Sequence, residues 1–266
     1  MEAIPSEYII PSGTISISAN GNYNVEAFAN AEVLVSGGGG ENEDAIIDRS
    51  IMSIENSRVS SIGEYAFVSC SALMTVSFPV ATIIRSSAFY SCSALTTISF
   101  PAVTNIGINA FGNCYALTTA NFPAATSIGQ SAFDRCFALT TANFPAATSI
   151  GQSAFNKCYA LTTANFPSAT SIGGSAFGNC SALTTASFPS VTYISPIAFY
   201  KCIALTTVSF PSATYIGASA FGNCSALTMA SFPAGVSIGA SAFNYCTVLT
   251  TVSFPNATSI GSNAFC

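Results

Sequence analysis

Nine cysteines stand 22 residues apart without a slip: Cys70, Cys92, Cys114, Cys136, Cys158, Cys180, Cys202, Cys224 and Cys246. Around them the chain repeats one unit, L-x2-h-x-F-P-x4-I-G-x2-A-F-x2-C-x2, where h is Val, Ile or Ala. Each period must fold into the same small unit, and such a unit cannot bury its apolar face alone. Stacking on neighbours is the remaining way to build a core, so the chain must form a coil of rungs.

The columns of the repeat predict the path of one rung. Leu95-Thr96-Thr97-Ile98-Ser99-Phe100 alternates apolar and polar, as a half-buried strand does. Leu95, Ile98 and Phe100 are expected inward, Thr97 and Ser99 outward. Pro101 has no N–H to give a ladder and marks a turn. Ile106 returns to the core, and Gly107 permits a close bend. Ser87-Ala88-Phe89-Tyr90-Ser91-Cys92 reads as a short helical or 3-10 turn that buries Phe89 and Cys92. The expected architecture is an α/β-type repeat solenoid. It has ten 22-residue rungs in a right-handed coil, with a parallel β-sheet on one face and short helical or 3-10 turns on the other.

The rungs begin at Ile51, Leu73, Leu95, Leu117, Leu139, Leu161, Leu183, Leu205, Leu227 and Leu249. Rung 51–72 has Asn56 and Ser57 where the others have Phe and Pro, which suits a polar N-terminal cap. The last rung stops at Phe265-Cys266 and suggests an open edge, available for self-association. Residues 116–133 and 138–155 are identical, the mark of internal duplication. Ahead of the array, Thr14–Ser18 and Tyr23–Val25 flank Asn20-Gly21, a hairpin signal. The expected division is a small β-hairpin module over 1–36, a Gly-rich and acidic linker over 37–50, and the solenoid over 51–266.

Composition narrows the function. Ten of the eleven acids lie at or before Glu64, and beyond it the array has Asp134 against Arg85, Arg135, Lys157 and Lys201. So sparse a charge argues against nucleic acid, which needs a dense basic face, and against electrostatic capture of acidic polymers. No apolar run approaches 18 residues, so no membrane span is expected. The N-terminus is acidic and has no apolar secretory core. The chain has no His, so neither a metal site nor a Ser-His or Cys-His nucleophile is expected, and the reading is of a non-enzyme without cofactors. The cysteine column reads as a buried thiol ladder rather than a disulfide frame, with Cys266 outside it at the terminus.

The repeat resembles the BspA-type leucine-rich repeats of bacterial and some protist surface proteins. The likeness rests on F-P after the strand, the T-x-I-G bend and the A-F-x2-C turn over residues 51–266. The head, with Gly13-Thr14-Ile15-Ser16-Ile17 and Asn20–Val25 before a glycine tract, is similar to a short module of phage and prophage tail-associated proteins. Together these resemblances imply an extracellular, cell-surface or virion-borne adhesion protein. They carry over no binding residue.

Variation on a constant scaffold marks candidate contacts. After each Cys the column reads Ser71, Ser93, Tyr115, Phe137, Tyr159, Ser181, Ile203, Ser225 and Thr247, placing three aromatics on consecutive rungs. Tyr193 and Tyr215 form a second pair. Aromatics on a rim stack on sugars, anchor protein partners or shield a core edge. The strand face adds rows of Thr and of Ser or Asn, which either present a lattice to a glycan or simply solubilise the face. The expected partner is a protein or glycan on a cell surface. The alternatives are a structural spacer or self-assembling scaffold and, more remotely, a binder of an ice or crystal lattice.

Overall fold

A computed structural model describes residues 53–55, 57–234 and 237–266, together with backbone strands at 7–8, 17–18, 22–24 and 32–33. Ten three-residue strands, from Ser53–Glu55 to Thr251–Ser253, recur one per rung. A second series of two-residue strands, from Ser61–Ile62 to Ser259–Ile260, follows each of them. Pairing is parallel and exactly in step: Ala120 faces Ile98 and Ala142, and Ile128 faces Ile106 and Ile150. Identical columns therefore become ladders.

Alternation sets which side chains enter the core. In Thr97–Ser99, Ile98 is buried between two exposed neighbours, and Leu95, Phe100 and Ile106 are buried as well. Two phenylalanine columns fill the interior. Within a column the rings stack, as with Phe111 and Phe133 at 5.2 Å and 8°. Between columns they meet tilted or edge to face, as with Phe89 and Phe100 at 6.1 Å and 50° and Phe133 and Phe144 at 5.5 Å and 65°. Both geometries suit the ring quadrupole, so each ring gains beyond the area it buries.

The turn side departs from expectation: it is a run of turns, not helix. Two residues per rung take left-handed φ, for example Asn109 (55°) and Asn113 (61°). Those two reversals prevent successive i→i−4 bonds. Backbone N–H groups alternate instead. Ala110, Gly112 and Cys114 bond within the rung, to the carbonyls of Gly107, Asn109 and Phe111. Asn109, Phe111 and Asn113 donate to the next rung, at Gln130, Ala132 and Asp134. The third side of the coil thus carries its own inter-rung ladder.

Backbones approach closely at the bend, and eight of the ten rungs place glycine there. A Cβ on Gly129 would lie 2.6 Å from the Gly107 carbonyl carbon. Arg85 and Ser195 fill the same column, their N–H groups reaching Ile62 at 3.0 Å and Ile172 at 3.3 Å, against 2.9 Å for Gly129 to Ile106.

The sheet of three-residue strands is broken between Thr141–Asn143 and Thr163–Asn165, whereas the two-residue strands run on unbroken. At the break the Phe144 and Phe166 rings stand 6.0 Å apart, against 5.3 Å for Phe122 and Phe144.

The linker and most of the head, the expected Asn20-Gly21 turn included, lie outside the described residues. The strands that are described pair differently from the expected hairpin. Glu7–Tyr8 pairs antiparallel with Ile17–Ser18, while Asn22–Asn24 pairs in parallel with Ser53–Glu55. Glu32–Val33 likewise pairs in parallel with Ser61–Ile62. Both sheets therefore continue past the rung expected to cap them. Tyr23-Asn24-Val25 alternates as a rung strand does, and an open parallel edge competes with a local turn for it.

Candidate binding surface

Tyr115, Phe137 and Tyr159 all lie on the turn that leads from the cysteine into the three-residue strand. The inter-rung bonds hold them in file. Ala138 N–H donates to Tyr115 and Ala160 N–H to Phe137, each at 3.3 Å. The rings stack in order, Tyr115 on Phe137 at 5.0 Å and 14°, Phe137 on Tyr159 at 5.2 Å and 18°. All three are exposed, Phe137 by 37 % and Tyr159 by 43 %.

This packing decides what the strip can offer. Both faces of Phe137 are covered by tyrosine rings, and only the far faces of Tyr115 and Tyr159 are open. A sugar stacks on a ring face, so the strip is a poor sugar platform along its length. It presents ring edges, where the quadrupole is positive. Tyr193 and Tyr215 stand apart, at the start of adjacent two-residue strands, stacked at 4.6 Å and 4°. The structure therefore holds two separate aromatic groups rather than one site.

The strand face divides into two chemistries. Among the described residues, no hydrogen bond engages the hydroxyls of Thr97, Thr119, Thr141, Thr163, Thr185 and Thr207. Beside them Asn143 donates to Asn121 at 2.7 Å, and Asn121 donates to Ser99 at 3.2 Å, so the amides are chained to one another. A shallow depression lies over this part of the sheet, between Thr75 and Asn143. Other threonine columns are structural. Thr118 and Thr140 donate to the carbonyls of Thr96 and Thr118, at 2.9 and 3.1 Å.

The cysteines are free thiols. Eight are buried, Cys246 is partly buried and Cys266 is exposed. Each of Cys92 through Cys246 donates to a phenylalanine carbonyl of the preceding rung at 3.0–3.3 Å. Burial pushes these thiols well above their usual range, and Cys246 rises less, to about 11. A thiol held neutral and hydrogen-bonded is inert.

Sequence reasoning missed the charge geometry. Beyond Arg85 the charged residues are Asp134, Arg135, Lys157 and Lys201. Arg135, Lys157 and Lys201 occupy one column, two residues before the aromatic column, each at a left-handed turn position with φ near 60°. The period itself was the available signal: Arg135, Lys157 and Lys201 are separated by one and two repeats. Asp134, in the adjacent column, accepts from Asn156 at 2.8 Å and pairs with Arg135 at 3.6 Å.

Among the described residues, no helix is long and apolar enough to cross a membrane, and no cluster of His, Cys, Asp and Glu could hold a metal ion.

The model of the BspA type leucine rich repeat region matches residues 48–162 and 148–266. It leaves the head unmatched, and nothing else supports the likeness to phage tail modules. No curated protein matches the chain. Among solved structures, the chain is similar to a leucine rich repeat protein of T. pallidum at 30 % identity, over 58 % of this chain and 78 % of that one, with a TM-score of 0.55. A leucine-rich repeat protein of Bacteroides ovatus matches at 26 % identity over 81 % and 76 % of the two chains, with a TM-score of 0.41. A leucine rich cell surface protein of Faecalibacterium prausnitzii matches at 24 % identity over 78 % and 80 %, with a TM-score of 0.43.

Proposed function

Since the chain belongs to the BspA-type leucine-rich repeat family, a family of binding scaffolds, we propose that it is a non-enzymatic adhesion module that recognises a protein or glycan on a cell surface. The observation that carries this reading is the exposed file of Tyr115, Phe137 and Tyr159. The same column holds serine at Ser71, Ser93, Ser181 and Ser225, so the fold does not require aromatics there. Large exposed rings on consecutive rungs suit a partner that covers them. Tyr193 and Tyr215 form a second, smaller contact of the same kind. The protein acts outside the cell, at a cell surface, as members of this family typically do.

The test is binding of the labelled chain to a panel of bacterial cells, mucin and matrix proteins. The variant combining Tyr115→Ser, Phe137→Ser and Tyr159→Ser is run beside it. Saturable binding that the variant loses supports the reading. Binding that the variant keeps moves the contact to the Thr face or the Tyr193 pair, and no binding to any surface overturns adhesion.

A further inference from the structure

The charge of the array is too sparse to hold an acidic polymer by its field alone, but it is not scattered. Arg135, Lys157 and Lys201 share one column along one edge of the coil, and the aromatic file lies two residues on from it. Ile203, exposed like the aromatics, continues that file past Ser181. From Tyr115 to Ile203 the edge spans five rungs, about 20 Å at strand spacing.

Three observations say what fits there. The aromatic faces are closed by ring-on-ring stacking, which leaves positively polarised edges outward. The cations are reachable: Arg135 is about half exposed, Lys157 is partly exposed, and Lys201 is exposed with its Nζ 5.4 Å from the Tyr200 ring centroid. The one acid, Asp134, is already engaged by Asn156 and Arg135. The edge thus presents cations and ring edges that suit carboxylates, beside the apolar Ile203, with Asp134 paired to Arg135. Arginine and tyrosine together are the usual anchors of a protein contact.

We propose that this edge is a docking ridge for an acidic, extended segment of a partner protein, read by Arg135, Lys157 and Lys201 together with the edges of Tyr115, Phe137 and Tyr159. The proposal rests on the adhesion reading and names its partner class. A segment of about six residues is long enough to run the length of the ridge. Carboxylates on it pair with the cations, while its apolar atoms lie against the rings and Ile203.

The repeat itself supplies clean variants. Asparagine stands in the cation column at Asn113, Asn179 and Asn223, also with left-handed φ in each case. Arg135→Asn, Lys157→Asn and Lys201→Asn together should therefore fold as the parent does, which circular dichroism and melting check. The probe is a fluorescent glutamate–tyrosine copolymer, titrated against the full chain at 50 and 500 mM NaCl. Heparin and neutral dextran are run beside it.

The expected result is binding of the copolymer that weakens about tenfold in the triple variant and falls with salt, because exposed ion pairs are screened. Equal binding by parent and variant, or a preference for heparin over the copolymer, overturns the ridge as a peptide site. The same variant on the cell panel separates the two levels. Adhesion that persists in full without the three cations overturns the ridge and leaves the adhesion reading standing, whereas a parent that binds no surface removes that reading itself.

Discussion

The thiol of Cys136 donates to the carbonyl oxygen of Phe111, one rung before it, at 3.2 Å. The same oxygen accepts the Cys114 N–H at 3.3 Å. One carbonyl thereby ties a turn within its rung and a side chain from the next. Repeated along the column, this contact gives the cysteines a structural role that neither disulfide chemistry nor catalysis needs.

Alkaline pH should unfold the protein steeply. The buried thiols have raised pKa values in the fold, because burial disfavours the thiolate. Unfolded thiols ionise near pH 8.5. The stabilisation is therefore complete below that pH and is lost as pH rises above it, since the unfolded chain releases protons that the folded chain keeps. Each fully buried thiol weakens the fold by up to about 1.4 kcal/mol per pH unit in that range. Urea midpoints measured from pH 7 to 11 should fall, and fall less steeply in a Cys136→Ala, Cys158→Ala double variant.

A thiol reagent should discriminate by position. In the native protein at pH 8, Cys266 should react at once, Cys246 slowly, and the buried column only after denaturant is added. Labelling followed by peptide mapping reads this directly. Fast labelling of Cys136 or Cys158 would show that the column is open to solvent.

Gly129→Ala should cost about 1–3 kcal/mol, the usual penalty of overpacking. The added Cβ would lie 2.6 Å from the Gly107 carbonyl carbon and oxygen, and backbone cannot swing aside as a side chain can. A urea melt measures the loss. An unchanged midpoint would mean that the rungs separate at little cost.

Ile197→Asn should raise the melting temperature. Ile197 has φ 55°, which β-branched residues avoid, and the equivalent residues Asn109 and Asn263 take the same φ. Relieving the strain is worth about 1–2 kcal/mol, a shift of a few degrees. The side chain is 41 % exposed, so little packing is lost. A lowered melting temperature would show that Ile197 packs more than it strains.

Replacing Phe144 by Ala should cost about 3–5 kcal/mol. Its ring stacks on Phe122 at 5.3 Å and meets Phe133 edge-on at 5.5 Å. The rung also borders the break in the strand sheet, where fewer ladder bonds hold it. Unfolding should therefore lose its single transition, seen as probe-dependent melting curves.

The amino-acid sequence alone determined the rung, its register and its core. A strict 22-residue period leaves stacking as the one arrangement that buries Leu95, Ile98, Phe100, Ile106, Phe111 and Cys114 together. Tertiary structure decided what the period does not encode. Asn22–Asn24 stands 31 residues before its partner Ser53–Glu55, so the intervening segment hides that rung from any search at 22. The turn side is not helical, because paired left-handed residues interrupt helical bonding, and Ser, Asn, Arg and Lys do not announce positive φ. The aromatic column was legible as a file, but whether its rings turned their faces or their edges outward depended on rung spacing, and at 5.0–5.2 Å they close on one another. A one-dimensional pattern determines which residues are neighbours. How neighbouring side chains fill the gap between them is settled by packing in three dimensions.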